Sequence, residues 1–176
     1  MKKIDYVIIC VLLCMNLGGC IRPMSRGEQL TKQLGSEHQI ADQMMEDIAT
    51  ALDAGDADAL KSLFSKTALK EAPDIGEQIS DVLKFYEGKT KDFSGFLNSS
   101  TSTDYGKESE KEITGHYTLT TDKEVYKVCY IYRVIDKEEP DNEGLSKLEI
   151  VEQSLYDNED FHWQFYTSEP GVYIQK

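Results

Sequence analysis

Residues 124–135 constrain the fold of this chain more than any other stretch. Tyr126, Val128, Tyr130, Tyr132 and Val134 occupy one parity, and Val125, Cys129, Ile131 and Ile135 occupy the other. Aromatic and β-branched side chains favour pleated backbone, and a strand sends alternate residues to opposite faces. A strand apolar on both sides needs cover on both, which predicts a central strand rather than an edge. No Asp or Glu sits inside the apolar part of the run; Asp136 comes closest and reads as the end of the strand. Residues 89–176 as a whole lack helical period and are rich in Tyr, Val, Thr and Ile. Further strands are predicted over residues 93–105, 110–120 and 145–155, the last alternating Leu148 and Ile150 with Glu149 and Glu152. Shorter ones are predicted over 161–166 and 172–174, around Trp163 and Pro170-Gly171. Residues 121–123 form a turn, and the charged stretch 136–144, with Pro140 and Gly144, reads as a hairpin connection.

The chain before Gly88 has a different texture. Ile40, Met44, Ile48 and Leu52 recur four apart, with Met45 and Ala51 beside them and Asp42, Glu46, Asp47 and Asp53 on the other side. Ser36 supplies an N-cap and Gly55 a stop, so a one-sided helix of four to five turns is predicted. Asp56 caps a second helix carrying Leu60, Leu63 and Phe64, with Leu69 in the connection that follows. A third helix starts near Pro73-Asp74, with Glu77 as a capping-box partner, and buries Ile75, Ile79, Val82, Leu83 and Tyr86. Helices followed by a strand-rich half make an α+β plan: three N-terminal helices packed on a curved, mostly antiparallel sheet.

At the N-terminus, Lys2-Lys3 precede an apolar run over residues 6–17, then Leu17-Gly18-Gly19-Cys20. A charged start, an apolar run and small residues before a cut are the layout of a secretory signal. The run is shorter than the roughly 20 apolar residues a spanning helix needs. Leu-Gly-Gly-Cys resembles the lipobox of bacterial lipoproteins, which implies cleavage before Cys20 and a diacylglyceryl thioether on its sulfur. The predicted organisation is therefore a signal peptide over 1–19, a lipidated cysteine and flexible tether over 20–35, and one α+β domain over 36–176. Two acyl chains give stable anchoring where one is marginal.

Charge and cysteine content narrow the function classes. The chain carries 19 Lys and Arg against 32 Asp and Glu, a net charge of −13. Losing Lys2, Lys3 and Asp5 with the leader makes the remainder more negative still. Such a surface repels phosphate backbones and anionic lipid heads, so no nucleic-acid partner is expected and the lipid, not a basic face, reaches the membrane. Cys10 and Cys14 leave with the leader and Cys20 is the lipid site. Cys129 alone remains, so no intramolecular disulfide is expected. His38, His116 and His162 stand at no metal spacing from one another or from Cys129. Asp53, Asp56 and Asp58 invite a calcium loop, but its closing position, counted from Asp53, holds Phe64 rather than Glu. Neither metal nor cofactor is expected, and no glycine-rich phosphate loop or nucleophile elbow is present.

The element order and the junction from Leu52 to Leu60, with Gly55-Asp56 between two helices, resemble the nuclear-transport-factor-2-like superfamily. The run from the lipobox to Pro170-Gly171-Val172-Tyr173, including residues 144–150 and the Trp163 region, is further similar to Gram-positive lipoproteins of the domain of unknown function 5104 family. The superfamily implies a cone whose mouth opens between sheet and helices. Tyr86, Tyr117, Tyr130, Tyr132 and Trp163 are the candidate lining of that cleft. The narrower family supplies no residue roles. The expectation is a lipid-anchored extracytoplasmic binding module without catalysis, taking a small molecule, a peptide or a surface protein. An isomerase or hydrolase using the same cleft is the alternative. A second is an interaction or immunity-type surface protein, with a homodimer through the sheet as one form.

Overall fold

The computed structural model describes residues 24–34, 36–105, 107–164 and 169–175. The predicted signal peptide and Cys20 lie outside these residues. The described residues fold as five helices on one face of a five-stranded sheet, with a short sixth helix on the other.

Helix α1, Arg26–Leu34, replaces most of the predicted tether. A reciprocal cap explains it: the Glu28 amide donates to the Ser25 hydroxyl at 3.2 Å, and the Ser25 amide donates to the Glu28 carboxylate at 3.0 Å. Gly27, which reads as a breaker, is a packing residue. A Cβ there would sit 1.5 Å from the Val134 carbonyl oxygen, so only glycine lets the helix lie on that strand.

Helix α2, Glu37–Ala54, is the predicted one-sided helix. Ser36 caps the Gln39 amide, and Gly55 ends the helix at φ +65. The whole apolar series from Ile40 to Leu52 is buried. Helix α3, Ala57–Ser62, is capped by Asp56 as expected. Leu69 is not in a connection: it lies in α4, Lys66–Glu71, which Ser65 caps. Helix α5, Ile75–Phe85, starts where predicted but without the capping box. Asp74 instead accepts from the Gln78 side chain at 3.0 Å, one turn further on.

The strands are β1, Thr90–Asp104; β2, Lys107–Thr121; β3, Val125–Asp136; β4, Gly144–Glu152; and β5, Gly171–Gln175. Their spatial order is their chain order; the first three pairings are antiparallel and β4–β5 is parallel. β3 is central, as its two apolar faces require. Irregularities at Lys111/Glu112 and Ile131/Tyr132 interrupt the ladders and bend strands locally. β4 stops at Glu152, three residues short of the predicted end, because Gln153–Tyr156 coils into helix α6. Phe161 to Gln164 is not the predicted strand but an irregular segment. It follows α6 across the sheet.

The core lies between α2 and the inner face of β2 and β3. Tyr117, Leu119, Tyr126, Val128 and Tyr130 point into it from the sheet, and Met44, Met45 and Ile48 meet them from the helix. Each large apolar side chain so buried contributes about 1.5–3 kcal/mol.

Candidate functional site

The tyrosines expected to line a cleft occupy the inner face, and most of their hydroxyls are already used. Tyr86 donates to Asp53 at 2.8 Å, Tyr117 donates to Asp42 at 2.8 Å, and Tyr130 donates to the Ala41 carbonyl at 2.7 Å. All three acceptors belong to α2. Tyr117 and Tyr130 stack at 5.9 Å with rings 12° apart. Burial, followed by the neighbouring Asp and Tyr groups, pushes all three phenols well above their ordinary range, so they stay protonated donors. At these positions the space between sheet and helices is filled by side chains. Tyr132 lines a separate concavity beside α1, and burial pushes its phenol up to about 12.

Trp163 is on the opposite face, where the structure builds a groove. Sheet register places Phe96, His116, Cys129, Glu149 and Tyr173 in one row across all five strands. Helix α6 and the segment after it fold back over the β3–β4 end of that row. Trp163 then meets His116 edge-on at 6.2 Å, Tyr156 at 5.8 Å and Phe161 at 5.1 Å. On the other side Phe96 stacks on His116 at 4.9 Å and 17° while remaining 61% exposed. The Lys127 ammonium sits 5.1 Å from the Tyr156 ring centre and donates to the Thr118 hydroxyl at 2.7 Å. Between Phe96 and the folded-back segment lies a shallow groove of about 100 Å³.

Beneath the groove Cys129 Sγ lies 3.4 Å from His116 Nδ1. The pair invites a nucleophilic reading, which its surroundings oppose. Cys129 is fully buried, and burial plus the Glu149 carboxylate push its thiol far up. Burial also pulls His116 down. Both groups are neutral at pH 7, and a protonated, inaccessible thiol is not a nucleophile. Glu149 itself is 0% exposed; it accepts from the Gln164 amide at 3.1 Å and from the Gln175 side chain. Asp136 is also buried, and burial raises its carboxyl. The Glu139 amide, Asn142 and Arg133 outweigh that and hold it below the usual carboxylate range. His38 and His162 are exposed, and among the described residues no three His, Cys, Asp or Glu side chains converge as metal ligands.

Phe96, Tyr156, Lys127 and Glu149 were not among the candidate site residues read from sequence. Phe96 carried a local signal: it is the one aromatic of opposite parity to Phe93 and Leu97, and so the one that alternation sends outward.

These features define a class: a helix-backed, mostly antiparallel five-stranded sheet with a packed inner face and an aromatic outer one. Residues 47–153 match the model of the family described as Domain of unknown function (DUF5104), and the chain belongs to that family. The match runs from the middle of α2 to the end of β4 and stops before most of the segment that carries Trp163. Among curated proteins, none matches this chain.

Proposed function

We propose that this protein is a lipid-anchored module on the outer side of a cell membrane that binds its ligand through the aromatic groove of the sheet, without chemistry of its own. The anchor reading rests on Leu17-Gly18-Gly19-Cys20. Among the described residues no helix is long and apolar enough to cross a membrane. The element order and the Leu52 to Leu60 junction support a nuclear-transport-factor-2-like ancestry, with a cone largely filled from within. An isomerase needs a carboxylate and free acidic hydroxyls converging in a dry pocket. The hydroxyls of Tyr86, Tyr117 and Tyr130 are engaged with α2 instead, which favours binding over catalysis.

One observation carries the reading: Phe96 stands 61% exposed against His116, with Ser94, Thr118 and Lys127 beside it along the groove. Exposed flat rings with a polar fringe suit a partner that offers a flat C–H or aromatic face. The test is photo-crosslinking in intact cells from a photoreactive phenylalanine placed at position 96. Tyr105, 98% exposed at the β1–β2 turn, is the control position. Adducts are expected from position 96 and not from 105. Equal adduct patterns from both would refute the groove as the binding face.

A further inference from the structure

A second concavity lies on the helix-covered side of the sheet, on residues the aromatic groove does not use. Four inner-face tyrosines, Tyr86, Tyr117, Tyr126 and Tyr130, have hydroxyls hydrogen-bonded to protein groups. Tyr132 shares their face and is only 3% exposed, yet its hydroxyl has no hydrogen-bond partner among the described residues. A buried hydroxyl left unpaired costs about 1–3 kcal/mol. No fully enclosed side-chain nitrogen or oxygen lacks a partner among these residues, so the Tyr132 hydroxyl is not sealed in. It opens on a concavity of about 200 Å³ where α1, α2, the α3–α4 link and the β3–β4 connection meet.

The lining has two polar sides and an apolar floor. Arg26 stands at the rim, held by an ion pair to Asp47. Glu143 stands across from α1 on the β3–β4 connection, its Oε1 accepting from the Asp136 amide at 3.1 Å. Met44 and Phe64 form the floor, both buried. Gly144 makes a fixed wall: at φ +133 it takes no side chain easily, and a Cβ there would meet the Ser65 amide nitrogen at 2.6 Å. The space is below the roughly 300 Å³ at which drug-sized pockets begin, and it equals about seven waters of liquid.

We infer that this concavity binds a small zwitterion, an α-amino acid with a short apolar side chain. The Arg26 guanidinium and the Tyr132 hydroxyl, both donors only toward an anion, take the carboxylate. The Glu143 carboxylate takes the ammonium, and Met44 and Phe64 take the side chain. A planar guanidinium beside a hydroxyl donor matches a carboxylate well. Anchoring of Arg26 by Asp47 and of Glu143 by the Asp136 amide holds the charges in place before a ligand arrives, which lowers the ordering cost of binding.

The test is NMR titration of the intact chain in detergent micelles, followed at the amides of Gly27 and Gly144, with three probes of one skeleton. L-valine carries both charges, 3-methylbutanoate lacks the ammonium, and 2-methylpropylamine lacks the carboxylate. Valine is expected to saturate with a dissociation constant on the order of 0.1–1 mM, in keeping with about eight heavy atoms. Each truncated probe is expected to bind at least tenfold more weakly, because it forgoes roughly one charge-assisted hydrogen bond. Tyr132→Phe keeps the ring and is expected to weaken valine about tenfold. Glu143→Gln, at a half-exposed position, is expected to weaken valine but leave 3-methylbutanoate unchanged. Absence of saturable shifts with valine up to about 20 mM overturns the inference. So does 3-methylbutanoate binding as tightly as valine, or Tyr132→Phe titrating like the parent.

Discussion

Gly115→Ala tests the packing that closes the inner face. Gly115 lies on β2 directly opposite Tyr130 on β3, and a Cβ added there would sit 2.3 Å from Tyr130 Cζ and 2.6 Å from its hydroxyl oxygen. Ordinary contact begins near 3.4 Å, so the ring must shift by about 1 Å. It has no free direction, being stacked on Tyr117 and fully buried. Overpacking of this kind costs about 1–3 kcal/mol. Breaking the hydrogen bond to the Ala41 carbonyl as the ring shifts adds about 1 kcal/mol; it stays modest because that carbonyl also lies inside the α2 ladder. The backbone at Gly115 is not in the left-handed region, so alanine recovers about 0.4–1 kcal/mol of unfolded-state entropy. The net expectation is a loss of about 2–3 kcal/mol, read by urea denaturation at 25 °C with circular dichroism. In a Tyr130→Leu background the obstructing ring is gone, and the same substitution should cost under about 1 kcal/mol, a coupling that a double-mutant cycle measures directly. A cost of less than about 0.5 kcal/mol in the parent, or equal costs in both backgrounds, would show that Tyr130 does not lie over Gly115.

Three further outcomes are expected. Mass spectrometry of the protein from the membrane fraction should show Cys20 as its first residue, carrying a diacylglyceryl thioether; an unmodified Cys20 would refute lipid anchoring. Asp136→Asn should cost about 2 kcal/mol at pH 7, because it removes a charge that accepts from Glu139, Asn142 and Arg133. The Asp136 carboxyl is held below its ordinary 3.8, so its contribution is complete above that value and disappears as pH falls through the lower folded one. The gap between parent and variant should therefore close on acidification, and a gap independent of pH would refute the assignment. His116 should titrate below its ordinary 6.5 because burial disfavours the imidazolium. NMR should place its midpoint below 6.5, and a midpoint at or above that value would contradict its position between Phe96 and Trp163.

What was legible in the sequence was what neighbours along the chain determine. The two-sided apolar run became β3, the four-apart series became α2, and Ser36 and Asp56 became caps, because each depends on spacing within a few residues. Helix α1 was legible too, through the Ser25–Glu28 pair, but Gly27 obscured it: the feature that signals a loop locally is, in the fold, the condition for contact with Val134. Glu149 shows the opposite failure. Alternation in β4 assigns it to the face away from the core, and that is correct, yet it is fully buried because the chain returns over that face after Glu152. Strand periodicity reports a side, not whether the side is covered.

The tyrosines carry the same argument into function. Alternation puts Tyr130 and Tyr132 on one face, and nothing within the strand separates them. Their difference arises 89 residues away in sequence, where the Ala41 carbonyl of α2 meets the first, and where α1 leaves an open concavity beside the second. A buried tyrosine bonded to a helix is part of the core. The same residue without such a partner, at the edge of an opening flanked by Arg26 and Glu143, is half of a binding site. The pairing of strand to helix makes that distinction, so Tyr130→Phe should change stability alone, whereas Tyr132→Phe should change valine binding and leave stability within about 0.5 kcal/mol of the parent. A Tyr132→Phe protein that melts clearly lower, with no change in ligand response, would return Tyr132 to the core and remove the site.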